Sequence, residues 1–211
     1  MKIKIPSFEN GSRVSYKHAF CVPTAEGTVT FGSNINPEIS WTDAPSNTRS
    51  FALICVDPDS PSVGDDVNVA GKFVPHNLPR ADFYHWVLAD IPANVHKIDS
   101  GADSTGITEK GKPSGKTSYG GVRGINDYTE WFANDVNMQG LYGGYDGPCP
   151  PWNDERIHHY RFIVFALDVE SLGLEANFDG RALMNAIQGH ILAQAEWVGV
   201  FTLNKNLINT I

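Results

Sequence analysis

The fold is decided by FALICV, residues Phe51–Val56, a run that is apolar at every position. A run of this length without polar alternation is typical of a strand buried on both faces of a sheet. The runs Tyr84–Ile91 and Tyr160–Leu167 are also mainly apolar and of strand length. Together the three runs predict the centre of a β-sheet.

Shorter segments around these runs predict turns and further strands. The pair Asn10-Gly11, between short apolar stretches, predicts a hairpin. Val29–Phe31 and Ile39–Trp41 are expected to form short strands, and the polar, proline-containing segment Asp57–Pro61 is expected to form a rigid turn after the first run.

The C-terminal part predicts a helix followed by a last strand. Asp179 is a plausible N-cap for a helix from Gly180 to about Trp197, because Leu183, Ile187 and Ile191 recur at helical spacing. Val198–Leu203 is the strand candidate that follows.

The segment between Pro92 and Tyr145 is polar and glycine-rich, without a clear period. A connection of this length in a compact domain is usually functional or ordered by its own contacts. Its predicted anchors to the rest of the fold are Trp131, Phe132, Met138, Leu141 and Tyr142.

Composition narrows the class of protein. The 211 residues show no internal repeat or linker, which favours a single domain over 1–211, and 20 Gly with 13 Pro favour strands joined by turns. The net charge of -8 and the absence of a long basic run argue against a nucleic-acid partner and against anionic membrane surfaces.

Localisation is predicted from the cysteines and from the apolar runs. Cys21, Cys55 and Cys149 form no CxxC pair, so a disulfide framework is not expected and a reducing compartment is favoured. No apolar run is long enough to span a bilayer, and no secretory signal is recognisable at the start of the sequence. The prediction is a soluble, cytoplasmic protein without integral membrane association.

A stiff loop marks the candidate site. Tyr145–Pro151 contains a glycine and three prolines, and His158–Phe162 brings titratable groups to the mouth of the last buried run. Backbone N–H groups near Gly144 and Gly147 are candidates for an anion-binding nest. We interpret the loop, with Pro148 and Pro150, as part of a preformed small-ligand pocket.

Polar residues stand at matching ends of the three buried runs. Asp57 follows the first, His85 begins the second, and His158 and Tyr160 begin the third. If the first strand runs opposite to the other two, these side chains meet at one rim of the sheet.

This set of residues suits a phosphate group. Asp57 or Asp59 would accept a hydrogen bond from one ring nitrogen of His85 and favour its charged form, and the other nitrogen would donate to the anion. Tyr160 adds a hydroxyl donor. A carboxylate beside a phosphate is reasonable if the ligand is zwitterionic and also carries an ammonium.

The chain resembles the phosphatidylethanolamine-binding proteins, in particular their bacterial branch. The segments that carry the resemblance are Asn36–Trp41, Asp57–Pro61, His85–Trp86, Gly144–Pro151, His158–Tyr160 and Gly189–Ala193.

The resemblance implies a mainly β fold with a large central sheet, a smaller flanking sheet and a few peripheral helices. It implies a ligand pocket formed by Asp57, Asp59, His85, His158, Tyr160 and the loop with Gly144, Gly147, Pro148 and Pro150. It also implies a cis peptide bond before Pro58. Two departures are His159, where the family commonly has arginine, and the long segment Lys97–Gly143, which could cover the pocket.

Three functions stay open. The leading one is a binding protein, not an enzyme and without a cofactor, that holds phosphate, a phosphomonoester or a phospholipid head group. The second is a metal-dependent hydrolase that uses the ligand types of Asp57, Asp59, His85, Glu155, His158 and His159. The third is a regulator of a kinase or protease, as the family resemblance implies. A homodimer is also left open.

Overall fold

A computed structural model describes residues 1–25 and 28–211 of the chain. Its strands are β1 (Lys2–Lys4), β2 (Cys21–Pro23), β3 (Val29–Phe31), β4 (Ile39–Thr42), β5 (Ser50–Pro61), β6 (Arg80–Pro92), β7 (Lys97–Ile98), β8 (Gly115–Lys116), β9 (Val122–Arg123), β10 (His158–Leu167) and β11 (Ile191–Phe201). Its α-helices are α1 (Tyr128–Trp131) and α2 (Gly180–Ala186), and a short 3-10 helix covers Tyr16–His18.

The largest sheet has six strands in the order β11-β10-β5-β6-β9-β8. Strand β5 lies between β10 and β6 and is antiparallel to both. β10 and β6 therefore run in the same direction, as the placement of the polar residues required. Smaller sheets of three strands (β1-β4-β7) and two strands (β2-β3) complete the predicted mainly β architecture.

The central strands bury both of their faces. On β5, Phe51 and Leu53 pack into the core that also contains Trp41 of the three-stranded sheet, whereas Ala52 and Ile54 pack into a second core on the opposite face. The second core includes helix α2. The predicted burial of the first apolar run on both faces is therefore confirmed.

The segment Asp57–Pro61 was predicted as a turn, and this is wrong. Strand β5 continues through it, with a break in register against β6 between Asp57 and Ser60. Proline cannot donate to a β-ladder and is tolerated at such irregular positions. All peptide bonds in the described residues are trans, so the implied cis bond before Pro58 is also wrong.

The predicted C-terminal helix is correct only in its first part. Asp179 caps it by accepting a hydrogen bond from the Ala182 N–H at 2.7 Å, but the helix ends at Ala186. Gly189 then has a φ of +83°, which suits a glycine in a tight turn. The chain beyond it pairs with β10 as β11, so tertiary pairing overrides the helical pattern.

The predicted hairpin at Asn10-Gly11 does not form. Gly11 N–H donates to the carbonyl of Val198 at 2.8 Å, and the Asn10 side chain accepts from the Val198 N–H at 2.8 Å. The turn is therefore held by β11 rather than by two neighbouring strands. No helix in the described part of the chain is long and apolar enough to cross a membrane.

Candidate functional site

A cavity of about 380 Å³ lies where the ends of β5, β6 and β10 meet. Its polar side chains sit on those strands, and its walls are largely aromatic and proline side chains. The lining includes Phe20, Cys21, Phe31, Asp57, Ser60, Ser62, Val63, Phe83, His85, Tyr128, Trp131, Phe132, Cys149, Pro150, His158 and Tyr160. A volume of this size accommodates a small organic molecule.

The strand directions bring five of the predicted residues together at this cavity. Asp57, His85, Pro150, His158 and Tyr160 all line it. Because β5 is antiparallel to its two neighbours, the residues that end one apolar run meet the residues that begin the other two.

The other predicted residues do not line the cavity. Asp59 turns away because the register of β5 breaks just after Asp57, and it accepts hydrogen bonds from the backbone N–H and from Nδ1 of His159. Gly144, Gly147 and Pro148 lie behind the lining, in the part of the loop that is packed against the protein.

The loop is held by protein contacts. A side chain at Gly147 would overlap the backbone oxygen of His18, since a Cβ there would lie 1.9 Å from it. The N–H of Gly147 donates to Oδ1 of Asn34 at 2.8 Å. This N–H is therefore already satisfied within the protein, and it is not free to form the anion nest that the sequence predicted.

A chain of buried charges lies beneath the cavity. Arg80 donates from Nη1 to Oδ2 of Asp154 at 2.5 Å and from Nη2 to Oδ1 at 3.0 Å. Nε2 of His158 donates to Asp154 at 3.1 Å, and its Nδ1 donates to Oδ2 of Asp57 at 2.6 Å. A histidine that donates to two carboxylates from both ring nitrogens must carry both protons.

The protonation state of His158 follows from these neighbours. Burial acts to lower its pKa, but the charge of Asp57 and the hydrogen bonds to Asp154 and Asp57 outweigh it and raise the pKa to about 9. His158 is therefore an imidazolium at neutral pH. Both of its donors are engaged, so it supports the floor of the cavity instead of reaching the ligand.

Asp154 and Arg80 are functional candidates that the sequence reasoning missed. Arg80 is the first residue of β6. Asp154 lies four residues before His158, in the polar stretch that separates Tyr145–Pro151 from His158–Phe162. The only available signal was that a histidine opening a buried strand needs a charged or polar partner.

His85 differs from the prediction. Its Nδ1 lies 2.7 Å from the carbonyl oxygen of Asp146, so this nitrogen is the donor, and the hydrogen bond expected with Asp57 or Asp59 is not formed. Burial lowers the pKa of His85, against the attraction of Asp57. The ring is therefore neutral at neutral pH, and its Nε2, which has no protein partner among the described residues, is an acceptor.

Tyr160 is another polar residue of the cavity lining. Its side chain is fully buried, its hydroxyl has no hydrogen-bond partner in the described part of the chain, and its ring lies 5.0 Å from that of His85. Burial raises the pKa of Tyr160 well above its ordinary value, so the hydroxyl keeps its proton. A buried hydroxyl without a partner is uncommon, and among the described residues that line the cavity Tyr160 is the one that has such a hydroxyl.

The cysteines correct another prediction. Cys21 and Cys149 form a disulfide, and Cys55 is free and buried. The expectation that no disulfide forms is therefore wrong, because residues 128 positions apart in sequence are brought together by the fold. The cytoplasmic location stays a prediction, and the thiol argument for it no longer holds.

The long middle segment forms one wall of the cavity. Tyr128, Trp131 and Phe132 line it, with the Tyr128 and Phe132 rings stacked at 5.6 Å. Of the predicted anchors, Tyr142 and Met138 are buried, whereas Trp131 and Leu141 are exposed. The segment contributes to the pocket, although two of its apolar residues face outward.

The geometry gives the metal-dependent hydrolase no support. No group of three or more His, Cys, Asp or Glu side chains in residues 1–25 and 28–211 is arranged to hold a metal ion. Asp57 and His158 bond to each other, and His159 and Glu155 border a separate surface depression with Asp59.

Comparison with known proteins identifies the family. The family model described as phosphatidylethanolamine-binding protein matches residues 4–202. A UPF0098 protein of Methanothermobacter thermautotrophicus is 33% identical over 81% of this chain and 84% of its own length. The Escherichia coli UPF0098 protein YbcL is 27% identical over 92% of this chain and 84% of its own length.

Solved structures agree. The crystal structure of Escherichia coli YbcL, described as a new member of the mammalian PEBP family, matches with a TM-score of 0.66 and 25% identity, covering 95% of this chain and 97% of that chain. A homologue from Chlamydia trachomatis, CT736, matches with a TM-score of 0.61 and 25% identity over 95% of each chain. Since the family model spans nearly the whole sequence, this chain belongs to the phosphatidylethanolamine-binding protein family.

Proposed function

We propose that the cavity binds the phosphate-bearing part of a small molecule or of a phospholipid head group, and that the protein does not transform this ligand. The observation that carries the proposal is the unpartnered, fully buried hydroxyl of Tyr160 beside the free Nε2 of His85. One group donates a hydrogen bond and the other accepts one, at the floor of a largely apolar cavity.

The charges around the floor favour a ligand whose own charges balance. No lysine or arginine is among the described residues that line the cavity. The charges of Asp57 and Asp154 are matched by those of His158 and Arg80. A phosphate dianion would find no free cation there, whereas a zwitterion brings its own ammonium to balance the phosphate.

The arrangement of the site supports binding without chemistry. Cys149 is part of the disulfide, and both ring nitrogens of His158 are engaged by carboxylates. Ser60 and Ser62 line the cavity, but neither is hydrogen-bonded to a histidine in the described residues. A serine nucleophile needs such a base within hydrogen-bond reach.

Calorimetric titration with phosphoethanolamine, inorganic phosphate and ethanolamine tests the proposal. We expect the zwitterion to bind most tightly, and Tyr160→Phe to weaken it by about tenfold because a charge-assisted hydrogen bond is lost. His190→Gln is the control, since His190 is half-exposed and pairs with Asp168 at 2.8 Å. Equal heats for wild type and Tyr160→Phe would remove the assignment of the ligand to this cavity.

Regulation of a kinase or protease is a second candidate. Phe31, Val63 and Trp131 line the cavity and are also exposed by 50% or more. Exposed apolar side chains at a ligand site favour contact with another protein. If a kinase or protease binds the wild type, phosphoethanolamine should release it, and the Trp131→Ser variant should not bind it. Binding that persists in both experiments would contradict this function.

A further inference from the structure

The disulfide lies in the wall of the cavity. Cys21 begins β2 and Cys149 stands between Pro148 and Pro150, and both half-cystines line the cavity. Cys21 is 7% exposed, whereas Cys149 is half-buried. Of the two half-cystines, Cys149 is therefore the more accessible residue.

The bond joins the loop to a pair of strands that lies outside the larger sheets. Strands β2 and β3 pair only with each other among the described strands, and a two-stranded sheet is at best marginally stable alone. The backbone N–H groups of Phe20 and Cys21 donate to the carbonyl of Pro148 at 2.9 and 3.1 Å. The N–H of Gly32, just after β3, donates to the carbonyl of Phe20 at 2.7 Å, and Val22 and Val29 pack on the core, so the disulfide is the covalent attachment of this pair of strands to the loop.

Phe31 depends on this attachment. It lies on β3, opposite Cys21, and its ring contacts that of Phe20 edge to face at 5.6 Å. Its side chain is 59% exposed, so little other packing keeps it at the cavity.

We propose that Cys21–Cys149 is a thiol-exchange site through which a dithiol reductant loosens this wall of the cavity. A thiolate of the reductant attacks Sγ of Cys149, the S–S bond breaks, and Cys21 leaves as a thiolate that takes up a proton. The second thiol of the reductant then displaces Cys149 from the mixed disulfide. The protein gains two thiols, and the dithiol is oxidised to a disulfide.

Hydrogen exchange on the full chain tests the proposal without any ligand. Oxidised wild type is compared with dithiothreitol-reduced wild type and with the double variant Cys21→Ser/Cys149→Ser. We expect the amides of Cys21 and Phe31 to exchange about tenfold faster or more when the bond is absent, while those of Phe51–Val56 keep their protection. Cys55→Ala, which leaves the disulfide intact, is the matched control.

Three results would overturn the proposal. Alkylation under non-reducing conditions should modify no more than one cysteine of the unfolded chain, and three free thiols would mean that the bond does not form. Faster exchange in Phe51–Val56 by the same factor as in the wall would mean that the bond supports the whole fold. Unchanged exchange at Cys21 and Phe31 would mean that it holds nothing in place.

Discussion

Two aspartate–histidine pairs connect β5 to β10, and they differ in their surroundings. Asp57 and His158 are joined at 2.6 Å, with side chains 4% and 1% exposed. Asp59 and His159 are joined at 2.8 Å, with side chains 16% and 52% exposed. The residue types are the same and the distances are similar, so the pairs differ in their burial and in the charged neighbours around them.

Burial changes what such a pair does. The exposed pair is screened by water, and its attraction is offset by the cost of ordering two side chains. The buried pair belongs to a row of charged side chains that also includes Asp154 and Arg80. If one of these side chains is removed, its neighbour is left as a buried charge without an opposite charge. The buried pair therefore determines the shape of the cavity floor, whereas the exposed pair contributes little to it.

The largest effect is expected from His158→Ala. This change leaves the carboxylates of Asp57 and Asp154 facing each other without the imidazolium, and we expect the free energy of unfolding to fall by about 3–5 kcal/mol. Urea denaturation at pH 7 measures it, with His159→Ala as the matched control. Similar losses in the two variants would show that burial does not distinguish the pairs.

The pH dependence of stability should come from the same residue. Because the pKa of His158 is raised from 6.5 to about 9 in the folded protein, the folded state retains a proton that the unfolded state has released. The stabilisation is complete below pH 6.5 and is lost as pH rises to about 9. The expected loss is about 3 kcal/mol, since one pKa unit corresponds to about 1.4 kcal/mol.

Denaturation midpoints between about pH 7 and 8.5 measure this slope, below the range in which the Cys55 thiol, whose pKa burial raises in the folded protein, ionises in the unfolded chain. His85 contributes little there, because burial lowers its pKa and the ring is mostly neutral in both states above about pH 7. His158→Gln should remove the slope and His159→Ala should keep it. If the stability of His158→Gln still falls as the pH rises, the titrating group is a different residue.

The sequence was sufficient for the centre of the fold because the signal there is local. An unbroken apolar run such as Phe51–Val56 predicts its own burial, and the polar residues at the ends of three such runs predict where a site is formed. The helix expected to reach Trp197 failed because β11 gains more by pairing with β10 than by continuing the helix. Whether this segment forms a strand therefore depends on β10, which begins 33 positions earlier in the chain.

The partners within the site could not be predicted. Asp57 and Asp59 look equivalent in the sequence, and only the break in register after Asp57 sends one to the cavity and the other to the surface. The partner of His85 is the backbone carbonyl of Asp146, which no residue type reveals. The disulfide similarly joins cysteines whose spacing in the sequence carries no signal.

Tyr160→Phe extends the comparison from buried ion pairs to a buried hydroxyl that has no hydrogen-bond partner in the described residues. Without ligand, the hydroxyl makes no hydrogen bond to the described residues, so its removal should raise the free energy of unfolding by up to about 1 kcal/mol. Thermal and urea denaturation of the ligand-free protein measure the change. A loss of more than 1 kcal/mol would mean that the hydroxyl already has a partner, and it would weaken the proposed role of Tyr160 in binding.

The smallest effect is expected from breaking the exposed pair. His159→Ala leaves Asp59 with Arg156, whose Nη1 lies 3.4 Å from its carboxylate, so that the aspartate keeps a partner. Because exposed ion pairs contribute about 0–1 kcal/mol, we expect a change in unfolding free energy within that range and no change in phosphoethanolamine affinity. Raising the salt concentration should shrink even this difference, since salt screens exposed charges more than buried ones. A loss comparable with that of His158→Ala, or a weaker affinity for phosphoethanolamine, would mean that Asp59 acts on the cavity through β5, although it does not line it.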